Sequence, residues 1–100
     1  MTDAAQHDLL DIFDHIAFEL CEPELANRLL SKIRSKVKTL EEFPEPNNMI
    51  SKPKYEFQKI RWCPIENYVL FYQVSDIVNH SYILRVLYKK RNWEHLLSPG

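Results

Sequence analysis

The side chains best suited to chemistry crowd the C-terminal part of this chain. Lys59 and Arg61 alternate along one segment, Arg85 lies in another, and Lys89, Lys90, Arg91, Trp93 and His95 follow in a short run. Cations interleaved with aromatic rings fit recognition of an anion, because a guanidinium grips phosphate or carboxylate at two points and a ring stacks on a partner. Each residue also has an ordinary role. Arg61 and Arg85 can pair with Glu66, Asp76 or another carboxylate of the chain. Trp93 suits tucking the tail onto a sheet as well as it suits stacking on a partner. Lys89, Lys90 and Arg91 fit a solvated terminus, and Tyr68, Phe71 and Tyr72 fit core or edge packing.

Charge supports looking at that half. Residues 1–50 contain five Lys/Arg and ten Asp/Glu, a balance of -5, whereas residues 51–100 contain eight and four, a balance of +4. The basic half is therefore the one to face nucleic acid or an acidic partner. A chain of 100 residues with 45% hydrophobic content forms one domain with one modest core. A single glycine excludes a Gly-rich nucleotide loop, and Cys21 and Cys63 lack the paired spacing of a zinc site or disulfide framework. Cys63 fits a buried strand residue. His7 and His15 are too far apart on one helix for a paired metal site. The polar, acidic start and the lack of a long apolar run predict a cytoplasmic protein without signal peptide or membrane span.

The elements that must carry these residues follow from periodicity. Residues 3–20 read as an amphipathic helix with Leu9, Phe13, Ile16, Ala17 and Leu20 in one stripe. Asp8, Asp11 and Asp14 fall on its solvated face. Pro23 suits the first turn of a second helix, whose stripe is Ala26, Leu29, Leu30, Ile33, Val37 and Leu40. The pair makes an antiparallel helical hairpin over 3–43. A proline-rich loop spans 44–54. From Tyr55 the period becomes two. Strands are expected from Tyr55 to Cys63, Tyr68 to Val74 and Ser81 to Tyr88, with Pro64–Asn67 and Ser75–His80 as turns. Short connections predict an antiparallel three-stranded meander over 55–88 and a basic tail over 89–100. The fold class is α+β, a helical hairpin packed on one face of a small antiparallel sheet.

In this order the chain resembles the RelE/ParE family of type II toxin–antitoxin toxins. The resemblance rests on Asp-Leu-Leu-Asp-Ile-Phe-Asp-His-Ile-Ala (8–17), Leu-Glu-Glu-Phe-Pro (40–44), Asn-Tyr-Val-Leu-Phe-Tyr-Gln-Val (67–74) and Leu-Arg-Val-Leu-Tyr-Lys-Lys-Arg-Asn-Trp (84–93). It implies a growth-inhibiting toxin held inactive by a cognate antitoxin encoded beside it, whose helix and extended tail wrap the toxin. It also implies a strand ahead of the first helix. Here the helix begins almost at Met1, so an open sheet edge is expected, which invites self-association.

Two branches of the family imply two targets. The RelE-like branch resembles a metal-free, ribosome-dependent messenger-RNA endoribonuclease, for which Lys59, Arg61, Lys90, Arg91 and His95 would form the catalytic set. His95 is then the proton-transfer group, since imidazole titrates near neutral pH. Val69 stands where that branch commonly has arginine, and Leu96 or Leu97 where it has tyrosine. The ParE-like branch resembles a DNA gyrase poison without nuclease residues, and Arg85, Lys89, Lys90, Arg91 and Trp93 would be its target-binding surface. The depleted acid–base set favours the ParE-like branch. Neither branch implies a cofactor or metal. A third expectation is an inactive fold relative that serves only as an antitoxin-binding or autoregulatory partner.

Overall fold

Thr2 starts the first helix. Its backbone is extended, at φ -69° and ψ 162°, and its hydroxyl accepts from the Ala5 N–H at 3.1 Å, which satisfies a donor that the first turn leaves open. In the computed structural model, which describes residues 1–43, 60–75 and 80–90, helix α1 spans Asp3–Asp14. The expected helix over 3–20 does not continue as one α-helix. A π-helical segment, His15–Glu19, replaces its last turn, and the Leu20 N–H reaches five residues back to the His15 carbonyl at 3.0 Å. The wider turn changes the phase of the stripe. Ile16 and Ala17 stay buried, but Leu20, expected in the core, is rotated out and is 54% exposed.

Cys21 makes the reversal with φ 55°, a left-handed conformation that costs a residue with a Cβ. Helix α2, Pro23–Glu42, follows with proline in its first turn, where a missing N–H loses no partner. Its buried residues Ala26, Leu29, Ile33, Val37 and Leu40 are the predicted stripe; Leu30 is half-buried.

Three strands follow: β1 (Ile60–Ile65), β2 (Tyr68–Ser75) and β3 (His80–Tyr88), all antiparallel in the order β1-β2-β3. The α+β meander is as the sequence predicts. Its boundaries differ in two places. Pro64 and Ile65 belong to β1 rather than to the turn, which is only Glu66–Asn67. Proline is tolerated there because β1 is at the edge of the described sheet and the missing N–H disturbs no central ladder. Ser75 and His80, expected in the second turn, instead end β2 and open β3. The first five residues of the expected first strand, 55–59, the loop 44–54 and the tail from Arg91 on lie outside the described residues.

The helix-facing side of the sheet presents Cys63 and Ile65 from β1, Leu70 and Tyr72 from β2, and Ile83 and Val86 from β3, which join the two helix stripes in one core. Ile83 and Val86 are three apart, not two, because β3 carries a bulge. Phe71 pairs with Arg85 but Tyr72 pairs with Ile83, so Leu84 is an extra residue. The bulge returns Val86 to the helix side and re-aims its neighbour Arg85. The opposite face carries a second apolar cluster of Ile60, Phe71 and Leu87, flanked by Trp62, Val69 and Leu84. Both faces of this small sheet are therefore apolar.

Candidate functional site

Arg85 stands where the bulge and α1 meet. Its Nε donates to Asp8 Oδ2 and its terminal nitrogen to Asp8 Oδ1, both at 2.8 Å, while the Val86 N–H donates to the same Oδ2 at 2.9 Å. The hydrogen bonds and charge of Asp8 raise the Arg85 pKa above its ordinary value, against the opposing effect of burial. Asp8, expected on a solvated face, is only 7% exposed. This is a correction to the sequence reading. The signal was present: Ala5, Asp8, Leu9, Ile12 and Ile16 have the spacing of a single stripe, and an acid within a buried stripe needs a cation.

Thr2 closes the rest of this edge. Its N–H donates to the Ile83 carbonyl at 3.0 Å and its hydroxyl donates to the Leu84 carbonyl at 2.8 Å. One carboxylate, one hydroxyl and one backbone N–H thus satisfy groups that a neighbouring strand would otherwise engage. The open edge expected from the short N-terminus is in this stretch occupied by the chain itself.

The far end of β3 is different. The Tyr88 ring meets the Tyr68 ring edge-on, with centroids 5.7 Å apart and planes at 62°. Burial, then the neighbouring phenol, pushes the Tyr68 pKa up. The Lys89 N–H donates to the Asn67 carbonyl at 2.8 Å, which fixes the chain just as it leaves the sheet. Lys89 and Lys90 are exposed. On the adjoining turn, Glu66 adopts φ 55° and accepts from Lys32 Nζ at 2.6 Å. That hydrogen bond, the charge of Lys32 and the more distant Arg28 hold the Glu66 carboxyl below its usual range.

Beside this end of β3 lies a groove of about 810 Å³. The second half of the first helix forms one wall, with Ile12, His15 and Ile16. The start of α2 forms the other, with Leu25, Arg28, Leu29 and Lys32, and Tyr68 and Tyr88 close the sheet side. The His15 imidazole here is held by Glu19 at 2.6 Å, one turn further on.

Of the residues singled out in the sequence, Lys89 and Lys90 are exposed just past the end of β3, and Arg85 is within β3 but bound to Asp8. Arg61 is half-buried opposite Tyr72 in the β1–β2 ladder. Tyr72 and Phe71 are core residues, as expected, and so is Cys63. Lys59, Arg91, Trp93 and His95 lie outside the described residues. No group of three or more His, Cys, Asp or Glu side chains suited to a metal ion occurs among the described residues. No described helix is long and apolar enough to cross a membrane.

A family model described as the ParE toxin of the type II toxin–antitoxin system, parDE, matches residues 1–93. Among curated proteins, none matches the chain.

Proposed function

Because this chain belongs to the ParE toxin family of type II toxin–antitoxin systems, we propose that it arrests growth by engaging DNA gyrase through the end of β3 and the basic run that follows. The observation that carries this reading is the contrast between two cationic groups. Arg85 is committed to Asp8 within the fold, whereas Lys89 and Lys90 face solvent beside the exposed Tyr88. Lys89, Lys90, Arg91 and Trp93 then form the target-binding surface, and Arg85 holds the strand that presents them. A cognate antitoxin neutralises the toxin, and the cytoplasm is where toxin and target meet.

The test is induction of the chain alone in bacteria, with pulse labelling of DNA and protein synthesis over the first minutes. DNA synthesis is expected to fall first. The triple variant Lys90→Ala, Arg91→Ala, Trp93→Ala is expected to restore growth while still binding the antitoxin. An initial collapse of protein synthesis would instead support messenger-RNA cleavage, with Lys59, Arg61, Lys90, Arg91 and His95 as the residues to change next. Unaltered synthesis of both would leave an inactive, antitoxin-binding relative.

A further inference from the structure

The charge balance of -5 over residues 1–50 conceals a segregation. Residues 1–24 contain seven Asp/Glu and no Lys/Arg, whereas residues 25–40 contain five Lys/Arg and no Asp/Glu. Those five cations, Arg28, Lys32, Arg34, Lys36 and Lys38, all lie on α2. One face of α2 is the core stripe, so the cations share what is left of the helix surface. Lys36 is half-buried; Arg28, Lys32, Arg34 and Lys38 are exposed.

The exposed cations form two rows. On the helical repeat, Ser31 and Ser35 stand opposite the core stripe, with Arg34 and Lys38 to one side of them and Arg28 and Lys32 to the other. Lys32 is paired with Glu66 at 2.6 Å, and Arg28 adds to the field on that same carboxylate. Arg34 and Lys38 hold no ion pair among the described residues. From Arg28 to Lys38 no exposed residue is apolar or aromatic. Such a surface offers neither a ring for an unstacked base nor an apolar anchor for a protein partner. It offers charge and hydroxyls to an anion that is long, regular and charged along two rims.

We propose that this face of α2 binds double-stranded DNA by lying in its major groove. The B-form major groove is about 12 Å wide and admits an α-helix, whereas that of A-form RNA is too deep and narrow. With the short serines turned to the groove floor, each row of cations faces the phosphates of one strand. Arg28 and Lys38 are separated by about 15 Å of helix, a length over which duplex DNA carries about nine charges. Arg28, Arg34 and Lys38 then neutralise about three phosphates, so the binding is weak and falls with added salt. Serine accepts either base edge, so the face contributes no sequence preference of its own. Such a contact suits DNA that another protein already holds, and it is independent of which target the basic run engages.

The test is fluorescence anisotropy of a labelled DNA duplex titrated with the full chain between about 50 and 200 mM salt. A Kd of about 1–100 µM is expected at the low-salt end, weakening as salt is added. The double variant Arg34→Ala, Lys38→Ala should bind about tenfold more weakly, and its plot of log affinity against log salt should be shallower by about 2. Both side chains are exposed, so this variant should melt as the unaltered chain does. An RNA duplex of the same sequence should bind more weakly than the DNA. Equal or tighter binding of the RNA overturns the major-groove placement. Binding lost only in Lys89→Ala, Lys90→Ala, Arg91→Ala assigns it to the basic run and overturns the proposal. Stronger competition by polyglutamate than by unlabelled duplex assigns the face to an acidic protein segment and likewise overturns it. So does the absence of duplex binding at low salt. None of these results touches the toxin reading, which stands or falls on growth arrest.

Discussion

The two ends of β3 solve opposite problems. Near Ser81–Val86, polar groups find partners within the chain: the Ser81 hydroxyl donates to the Leu40 carbonyl, Thr2 takes up the Ile83 and Leu84 carbonyls, and Asp8 holds both Arg85 and the Val86 N–H. Near Tyr88, the same strand ends on a half-exposed ring, two solvated lysines and an open groove. A strand edge is a template for pairing, so a chain must either satisfy it or use it. Here one end is satisfied by residues up to 82 positions distant in sequence, and the other is left available among the described residues. An arginine in a basic, aromatic strand thus turns out to be part of the frame, and the exposed Lys89 and Lys90 are the candidates for contact.

That contrast is most directly broken at Asp8. Replacing it by alanine takes the carboxylate from a part-buried guanidinium and leaves the buried Val86 N–H without its acceptor. The expected cost is about 2–4 kcal/mol, a large share of the stability of a small domain. The expected result is a lower urea midpoint with an unchanged slope. Asp8→Asn should lose less, because a side-chain carbonyl can still accept one of these hydrogen bonds. If Asp8→Ala unfolds at the midpoint of the unaltered chain, the edge is held by something else, and the division of β3 into a fixed and an available end fails.

Ser81 gives a smaller effect in the same direction. It is wholly buried, and its hydroxyl satisfies a carbonyl near the C-terminal end of α2. Ser81→Ala leaves that carbonyl unsatisfied, at a cost of about 1–3 kcal/mol. The loss should appear in the same denaturant series and should be independent of salt, which distinguishes it from the Asp8 pair. An unchanged midpoint would mean that water or another donor replaces the hydroxyl, and that this end of the strand is less closed than its bonds imply.

The core of this fold was legible because it rests on local period. The stripe Ala26, Leu29, Ile33, Val37 and Leu40 and the alternation through Leu70 and Tyr72 follow directly from one helix repeat and one strand repeat. What escaped was everything set by a change of phase. The π-helical segment moved Leu20 from the core to the groove, and the bulge at Leu84 decided which side Val86 and Arg85 serve. Neither insertion has a compositional mark. Asp8 was misread for a different reason: an acid at a helix surface is the common case, and only its position within a buried stripe, with an arginine 77 residues later, argued otherwise. Tail and groove differ too. The cations of the tail were visible as a run, whereas the groove is assembled from two helices, a turn and a strand end.

The weakest predicted effect tests the available end. Glu66 is exposed, and its carboxyl is held below its ordinary value by the hydrogen bond and charge of Lys32. A carboxyl that is more acidic when folded binds its proton less readily in the native state. Its contribution is therefore present above the unfolded value of 4.5 and is lost as the pH falls from there through the lowered folded value. Between neutral pH and mild acid the unaltered chain should lose slightly more stability than Lys32→Met, and added salt should shrink the difference because both partners are solvated. Paired melts of the two proteins across that acid range measure it directly. Identical pH profiles would show that the ion pair does nothing to hold the left-handed turn. The groove would then have a loose margin at Glu66, and its shape at the Tyr68 side would have to come from the tyrosine pair and the Lys89–Asn67 hydrogen bond.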